Sequence, residues 1–206
     1  MYARTNTVRT DPGTIDEGVA NVRDEVMPLV MGMEGCIGLS MLADRDSGRC
    51  IVTTAWRTEE AMHASEQGIR ASRERAAQIF GEMPTVAEWE IAVMHRMHET
   101  GDGARTRVLW GHTEPGHMDD SLSTFRMMIM PKMEELPGFA SCNMMVDRGS
   151  GRMTLAVTYD SADAMRQANE RAMALRSESK TAMGWEIDEI AEFDLVLAHL
   201  RVPETV

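Results

Sequence analysis

The feature that most constrains this 206-residue sequence is an internal duplication. When the sequence is shifted by 103 positions against itself, residues 10–62 match residues 113–165 at sixteen of 53 positions. The identities concentrate in stretches that contain glycine or proline, such as Asp44–Arg49 against Asp147–Arg152. Because turns require particular backbone geometry, shared turn residues indicate that both segments follow the same path. The sequence therefore predicts one fold that is built twice.

The duplication also predicts where each copy begins and ends. After the second helical segment, one inserted residue changes the shift to 104, which aligns residues 87–90 with 191–194. We expect the first copy to span residues 1–97 and the second copy to span residues 105–206. Residues 98–104 are polar and contain two glycines, so they are expected to link the copies.

Each copy shows the pattern of a strand, a helix, two strands, a second helix and a last strand. In the first copy, Thr14 starts a sequence with capping-box spacing and is predicted to begin the first helix. Two strands at about 36–43 and 50–57 are joined by a serine-glycine turn at hairpin spacing. Thr58 and, in the second copy, Ser161 are predicted N-caps of the second helices. This βαββαβ order is that of the ferredoxin-like unit, an α+β fold.

The last strand of each copy is predicted from strict alternation. Within residues 87–95, Trp89, Ile91 and Val93 share one face, and the aligned strand spans residues 191–199. A four-stranded antiparallel sheet with both helices on one face leaves its other face bare. We therefore expect the sheets of the two copies to pack together, which a single duplicated chain can achieve alone.

Composition and charge exclude several classes of partner. The net charge of −12 argues against nucleic acid and against anionic membrane surfaces, both of which recruit Lys and Arg. No apolar stretch is long enough to span a bilayer, and the N-terminus has no secretory pattern, so a cytoplasmic location is expected. The three cysteines, Cys36, Cys50 and Cys142, are expected to be buried thiols.

The βαββαβ order, the duplication and the segment Val52–Met62 (VTTAWRTEEAM) together resemble the antibiotic biosynthesis monooxygenase domains of the dimeric α/β-barrel superfamily. The resemblance covers most of the chain, once per copy. It implies that the two sheets form an intramolecular dimeric α/β-barrel and that a pocket lies between the sheet and helices of one unit. The family includes cofactor-independent oxygenases of polyketides, quinol monooxygenases and haem-degrading enzymes, so individual residues have to decide the function.

Four residues are candidate catalytic groups. Asn6 lies on the first strand, where several oxygenases of this family carry a pocket asparagine that could hydrogen-bond an enolate or peroxide oxygen; the second copy has Leu109 there. His95 and His199 end the last strands, His112 ends the first strand of the second copy, and histidine is the usual proton acceptor near neutral pH. A purely structural role is the alternative for each, because the sequence shows no carboxylate partner for these histidines.

Three aromatic residues are candidate substrate-binding groups. Trp56 and Tyr159 are aligned and close the second hairpin strand of their copies. A core role is favoured for Trp56, whereas the phenol of Tyr159 suits either a core or a pocket. Trp110 stands where the first copy has Thr7, so the two pockets are not expected to be equivalent.

No cofactor and no metal are expected. The chain lacks the glycine motifs of nucleotide sites, and its histidines and cysteines lack zinc or copper spacing. Haem-degrading relatives carry a tryptophan and an iron-binding histidine along the second helix, and these places hold Ser65 and Glu74, or Ala168 and Ser177. That route is disfavoured, although His63 lies on the same helix.

Two functions fit these observations. The first is a cofactor-independent monooxygenase that acts on a small aromatic or quinol-type substrate in a pocket between sheet and helices. The alternative is a non-catalytic α/β-barrel protein that binds a small ligand or has a structural role. In both cases the expected partner is a small apolar or aromatic molecule, and the chain is expected to be a monomer that acts as a pseudo-dimer or a homodimer.

Overall fold

The structure, a computed structural model, describes residues 1–200. The first copy contains the predicted elements in the predicted order. In chain order they are β1 Tyr2–Arg9, α1 Ile15–Asn21, α2 Met27–Met31, β2 Cys36–Ala43, β3 Arg49–Trp56, α3 Glu59–Ala64, α4 Glu66–Phe80 and β4 Thr85–Arg96. A π-helical segment, Val22–Val26, joins α1 to α2, so the two form one helical stretch.

The second copy repeats this order, except that a single helix takes the place of α3 and α4. Its elements are β5 Arg105–His112, α5 Met118–Thr124, α6 Met130–Glu134, β6 Phe139–Asp147, β7 Arg152–Tyr159, α7 Ala162–Met183 and β8 Glu186–Leu200. A second π-helical segment, Phe125–Ile129, joins α5 to α6. In both copies the third strand pairs antiparallel with the first and the second. The predicted α+β class and the duplicated βαββαβ order are therefore confirmed.

The chain divides into two compact units that do not coincide with the two sequence copies. Unit 1 is Met1–Trp89 together with the segment that begins at Phe193, and within the described residues unit 2 is Glu90–Glu192. The last strands are longer than predicted, with 12 residues in β4 and 15 in β8, and each is divided between the units. The strand order is β1-β3-β2-β8 in unit 1 and β4-β6-β7-β5 in unit 2.

The predicted caps of the second helices are confirmed, and Thr14 is the N-cap residue of the first helix as predicted, although its side chain makes no capping hydrogen bond. Thr58 accepts a hydrogen bond from the Ala61 amide, and Ser161 accepts one from the Ala164 amide, each at 3.1 Å. At the first helix, the carboxylate of Asp11 instead accepts from the Gly13 amide at 2.8 Å and starts a short 3-10 turn, Pro12–Thr14. Proline at the first position of that turn loses no hydrogen bond, which favours the earlier start.

The two π-helical segments have a common cause in Pro28 and Pro131. A proline nitrogen carries no hydrogen and cannot complete the α-helical bond to the carbonyl four residues earlier. The preceding amide, of Met27 or Met130, instead bonds to the carbonyl five residues earlier, in Val22 or Phe125. The same proline thus sets the same local widening in both copies.

Each unit has its own apolar core between sheet and helices. In unit 2 the core includes Phe125, Met144 and Trp185, and in unit 1 it includes Ile15 and Met41. Among residues 1–200, no helix is both long and apolar enough to cross a membrane.

Candidate functional site

The sheet of unit 2 presents alternate residues of β5 to the helices. Leu109 pairs in register with Leu155 of β7, and Arg107 pairs with Val157. Leu109, Leu155 and Val157 belong to the core cluster, so this face is the helix side of the sheet. Because successive side chains of a strand alternate, Trp110 lies on the opposite face.

A cavity lies in unit 2 between this sheet face and helix α7. Its volume of about 40 Å³ corresponds to on the order of three water molecules. Most of its wall is apolar, with Leu109, Ile129, Met133, Leu155 and Leu175 among the lining residues. Five lining residues carry a hydrogen-bond donor in addition: Arg107, Tyr159, Arg176, Ser179 and Trp185. The Ser179 hydroxyl donates to the Leu175 carbonyl at 2.8 Å.

Arg107 is buried, and its guanidinium is only partly satisfied. Nε and Nη2 donate to Oε1 of Glu192 at 3.0 and 2.7 Å. Nη1 is buried and has no hydrogen-bond partner among the described residues. A buried donor without an acceptor costs about 1–3 kcal/mol, and more for a charged group. The arginine therefore offers an unused donor at the cavity wall.

Arg176 and Tyr159 lie close enough to Arg107 to affect its electrostatic environment. Burial and the neighbouring charge of Arg107 lower the pKa of Arg176. Burial raises the pKa of Tyr159, although Arg107 and Arg176 oppose that shift. At neutral pH the phenol is therefore protonated and able to donate. Arg176 forms no ion pair with any residue in the described part of the chain.

Trp185 closes one side of the cavity. Its indole N–H is buried and has no hydrogen-bond partner within residues 1–200. A Cβ atom at Gly111 would lie 2.2 Å from that Nε1 atom, so only glycine allows the ring to lie against β5. The close approach places a third donor beside the two arginines on the cavity wall.

The first copy contains the same arginines with different neighbours. Arg4 aligns with Arg107 and donates from Nε and Nη2 to Glu88, which aligns with Glu192. Its Nη1 donates to Ser65 at 2.9 Å and lies 3.4 Å from Oε2 of Glu66. Arg73, which aligns with Arg176, pairs with Glu66 through two hydrogen bonds. Every guanidinium group of this cluster therefore has a carboxylate partner.

The sequence candidates in unit 1 lie on the helix side of β1 and β3. Trp56 is fully buried, and its indole N–H donates to Thr54 at 3.1 Å, as a core role predicts. Asn6 is half-buried and lies on the same face of β1 as Arg4 and Val8. It therefore occupies the place that Leu109 has at the cavity of the second copy. Tyr159 is buried and lines that cavity itself.

The histidine candidates lie elsewhere and do not line the cavity. His95 is buried, stacks on Phe139 with ring centroids 6.2 Å apart, and has its Nε2 atom 3.1 Å from Glu134. His112 is exposed at the end of β5, where Nδ1 lies 3.0 Å from Asp188. His199 is exposed on β8. The expectation that the histidines lack carboxylate partners is therefore wrong for His95 and His112.

Neither the second helix nor the rest of the described chain shows a metal cluster. His63, the histidine that lies on the second helical segment of the first copy, has its Nε2 atom 3.0 Å from Oε2 of Glu88 at the surface. Residues 1–200 contain no group of three or more His, Cys, Asp or Glu side chains arranged to hold a metal ion.

Sequence reasoning missed Arg107, Arg176 and Trp185. Charged residues on a half-buried strand and on a helix are normally solvent-facing, so single arginines gave no signal. The duplication carried a signal nevertheless, because the Arg4 and Arg107 positions both hold arginine in otherwise dissimilar strands. Trp185 aligns with no tryptophan in the first copy and could not have been found that way.

The fold and the cavity define a ferredoxin-like α+β protein with an internal cavity between sheet and helices. Residues 1–73 match the family described as antibiotic biosynthesis monooxygenase. The whole chain is 47% identical to the uncharacterized protein Rv2557 of Mycobacterium tuberculosis, over 92% of that protein, and 44% identical to Rv2558 of the same organism, over 88%. The chain belongs to the antibiotic biosynthesis monooxygenase family, as the resemblance predicted.

Solved structures share the fold at low identity. A proposed monooxygenase of Fusobacterium nucleatum has a TM-score of 0.73 and 13% identity, with 97% of this chain and 94% of the other covered. An anthrone oxidase-like protein has a TM-score of 0.64 and 17% identity, with 98% and 94% covered. The haem-degrading enzyme LmHde of Listeria monocytogenes has a TM-score of 0.55 and 10% identity, with 95% and 99% covered. At these identities the similarity shows the fold alone.

Proposed function

We propose that the second copy is a monooxygenase that oxidises a small aromatic or quinol-type substrate without a cofactor. The observation that carries this proposal is the cavity in which Arg107, Tyr159 and Arg176 present donors within apolar walls. In such chemistry the deprotonated substrate itself gives an electron to oxygen. The protein then needs only a dry pocket and donors that stabilise the anion as it forms.

The similarity to an anthrone oxidase-like protein supports the substrate class. In an anthrone oxidation, a ring CH₂ group and O₂ give a carbonyl group and one water, so no external reductant is consumed. Among residues 1–200, none that lines the cavity is His, Asp or Glu. Acidification of the substrate by the arginines, followed by proton loss to solvent, is therefore the role that this wall can perform.

Oxygen uptake with a panel of anthrones and quinols tests the proposal. We expect one O₂ consumed per carbonyl formed, and one labelled oxygen atom in the product when ¹⁸O₂ is supplied. Tyr159→Phe should lower kcat/KM by about tenfold or more, because a donor to the anion is lost. Trp56→Phe, at the aligned position of the first copy, is the matched control and should leave the rate unchanged.

The same oxygen-uptake assay tests the catalytic roles proposed for the four residues chosen from the sequence. Alanine variants of His95, His112 and His199 and of Asn6 should retain the rate if the cavity of unit 2 carries the chemistry. A loss of activity confined to one of them would move the site to that residue.

A non-catalytic ligand-binding protein is the second candidate. It is favoured by the small volume of the cavity, about 40 Å³, and by the lack of a base on its wall. No oxygen uptake with any substrate, together with ligand binding that Tyr159→Phe weakens, would establish this alternative. We also propose a cytoplasmic location and a monomeric or homodimeric state. Light scattering tests the oligomeric state, because it distinguishes a 23.0 kDa particle from one of twice that mass.

A further inference from the structure

We infer that the cavity of the second copy binds its ligand as an organic monoanion, an apolar ring-sized molecule whose carboxylate or phenolate lies between Arg107 and Arg176. The inference rests on the proposed function for the location of the site. It adds the charge of the ligand and the residues that recognise it.

The two copies differ by one carboxylate at otherwise matching arginines. In the first copy, Arg4 and Arg73 have two carboxylate partners, Glu66 and Glu88. In the second copy, the aligned arginines have one, Glu192, because Asn169 stands at the position of Glu66. One positive charge at the cavity is therefore uncompensated by the described residues.

A second substitution removes the neutral partner of the same guanidinium. Ser65, which accepts from Nη1 of Arg4, is replaced by Ala168 in the second copy. Nη1 of Arg107 thus lacks both the hydroxyl and the carboxylate that its counterpart contacts, and it remains buried without a partner among residues 1–200. The substitutions at 168 and 169 together leave a charged donor at the cavity wall.

An arginine cannot relieve this situation by losing its proton, because guanidinium groups stay charged in proteins. An uncompensated buried charge destabilises the folded protein, and a bound counterion offsets that cost. The planar fork of a guanidinium matches a carboxylate, and a phenolate oxygen accepts from the same donors. The unpartnered indole N–H of Trp185 and the phenol of Tyr159 supply further donors on the same wall.

The walls of the cavity indicate that the rest of the ligand is apolar. Its walls outside the donors are aliphatic, and Ala172 on α7 replaces the bulkier Ile69 of the first copy. A ring requires more room than the present volume of about 40 Å³, so the cavity has to widen when it binds, and Met133 is one of the side chains on its wall. Unbranched methionine side chains adapt readily in this way.

Benzoate and benzamide test the charge requirement, because they share a shape and differ in charge. The readout is the indole N–H signal of Trp185 in ¹⁵N-labelled full-length protein, assigned with Trp185→Phe. We expect benzoate to shift this signal and benzamide to bind at least about tenfold more weakly. Equal affinity for the two probes, or no response to either benzoate or 4-nitrophenol at about 10 mM, would overturn the inference.

Variants at position 169 use the first copy as their template. Asn169→Glu restores the carboxylate that Glu66 provides, and we expect it to weaken benzoate binding by at least about tenfold while benzamide binding is unchanged. Asn169→Gln keeps the size without the charge and should bind benzoate like the unmodified protein. Because Asn169 is exposed, neither variant is expected to unfold the chain. Unchanged benzoate affinity in Asn169→Glu contradicts the inference.

A phenol distinguishes the two kinds of anion. Bound 4-nitrophenol should ionise at a pH about one unit lower than the free phenol, seen as the yellow phenolate band, and Arg176→Gln should abolish the shift. A shift without benzoate binding assigns the site to phenolates, and benzoate binding without a shift assigns it to carboxylates. Oxygen uptake is measured separately. If the protein consumes oxygen but binds benzoate and benzamide equally well, this inference is wrong and the proposed function is still supported.

Discussion

Arg73 donates two hydrogen bonds to the carboxylate of Glu66, at 2.6 and 3.0 Å, seven residues earlier on the same helix. The aligned arginine of the second copy, Arg176, has Asn169 seven residues earlier and forms no ion pair with a described residue. Two segments with the same backbone path thus differ in the charge balance around a half-buried arginine. The scaffold is shared by the two copies, and the exchange of one carboxylate changes the charge balance at this arginine.

Glu66→Gln should destabilise unit 1, because the variant removes the carboxylate that Arg4 and Arg73 share. The carboxylate is half exposed, so we expect a loss of about 1–2 kcal/mol in the free energy of unfolding rather than the larger cost of a fully buried pair. Urea unfolding measures the change. Glu74→Gln, which breaks an exposed pair with Arg70, is the control and should cost no more than about 0.5 kcal/mol. Equal losses in the two variants would contradict the importance of the buried cluster.

The elements of the fold could be predicted from sequence because their limits are marked locally. Turn residues and alternation identified every strand, and the N-caps Thr58 and Ser161 marked the second helices. The full extent of β4 and β8 was not predicted. At their C-terminal ends, Arg96 and Leu200 pair with Ser141 and Gly38, which are distant in sequence. Thr14 is the N-cap residue of the first helix, as predicted, but its backbone is in the right-handed helical region and not in the extended region typical of a capping side chain, and no capping hydrogen bond forms.

The candidate site was harder to predict than the fold. Tyr159 was recognised because its phenol stands where the first copy has an indole. Arg107 contacts Glu192, 85 residues further along the chain, and this pairing exists only through the tertiary fold. Histidines were chosen for their usual chemistry, yet His112 forms a surface pair with Asp188. Residue type alone did not indicate the burial of Arg107, which is the property that distinguishes it from a surface arginine.

Gly151→Ala should be among the most damaging single substitutions in the hairpin of the second copy. Gly151 has a φ of 76°, and an added Cβ would lie 2.0 Å from the backbone oxygen of Thr113. Left-handed strain and a clash with main chain act together, so we expect a loss of about 2–4 kcal/mol in the free energy of unfolding. Gly149→Ala in the same turn meets no atom closer than 3.5 Å and should change stability by less than about 0.5 kcal/mol. Chemical unfolding curves compare the two, and a similar loss in both would refute the steric argument.

The three thiols should differ sharply in reactivity. Burial raises the pKa of Cys50 to about 11 and that of Cys142 to about 12. At pH 8 their thiolate fractions are about 10⁻³ and 10⁻⁴, and both side chains are also inaccessible.

Cys36 is half-buried, so it should react with a disulfide reagent first, and the others only after denaturant is added. Absorbance of the released thiolate counts one fast and two slow groups, and Cys36→Ser should remove the fast phase. Three fast thiols in the native protein would contradict the burial of Cys50 and Cys142.

Asp147 should contribute to the free energy of unfolding at neutral pH, and this contribution should be lost in acid. Hydrogen bonds from the Ser150 hydroxyl, at 2.6 Å, and from Arg152 hold the pKa of Asp147 at about 2, against an ordinary value of 3.8. Because the folded-state pKa is the lower one, the stabilisation is complete above about pH 4 and is lost as the pH falls towards 2. Asp147→Asn keeps the acceptor for the turn amides but removes the charge, so it should cost about 1–2 kcal/mol at pH 7 and progressively less below pH 4. Urea midpoints at several pH values measure the difference, with Asp46→Asn in the equivalent turn as the control for loss of one carboxylate. A difference between Asp147→Asn and the unmodified protein that stays constant from pH 7 to pH 3 would show that the Asp147 charge does not stabilise the turn.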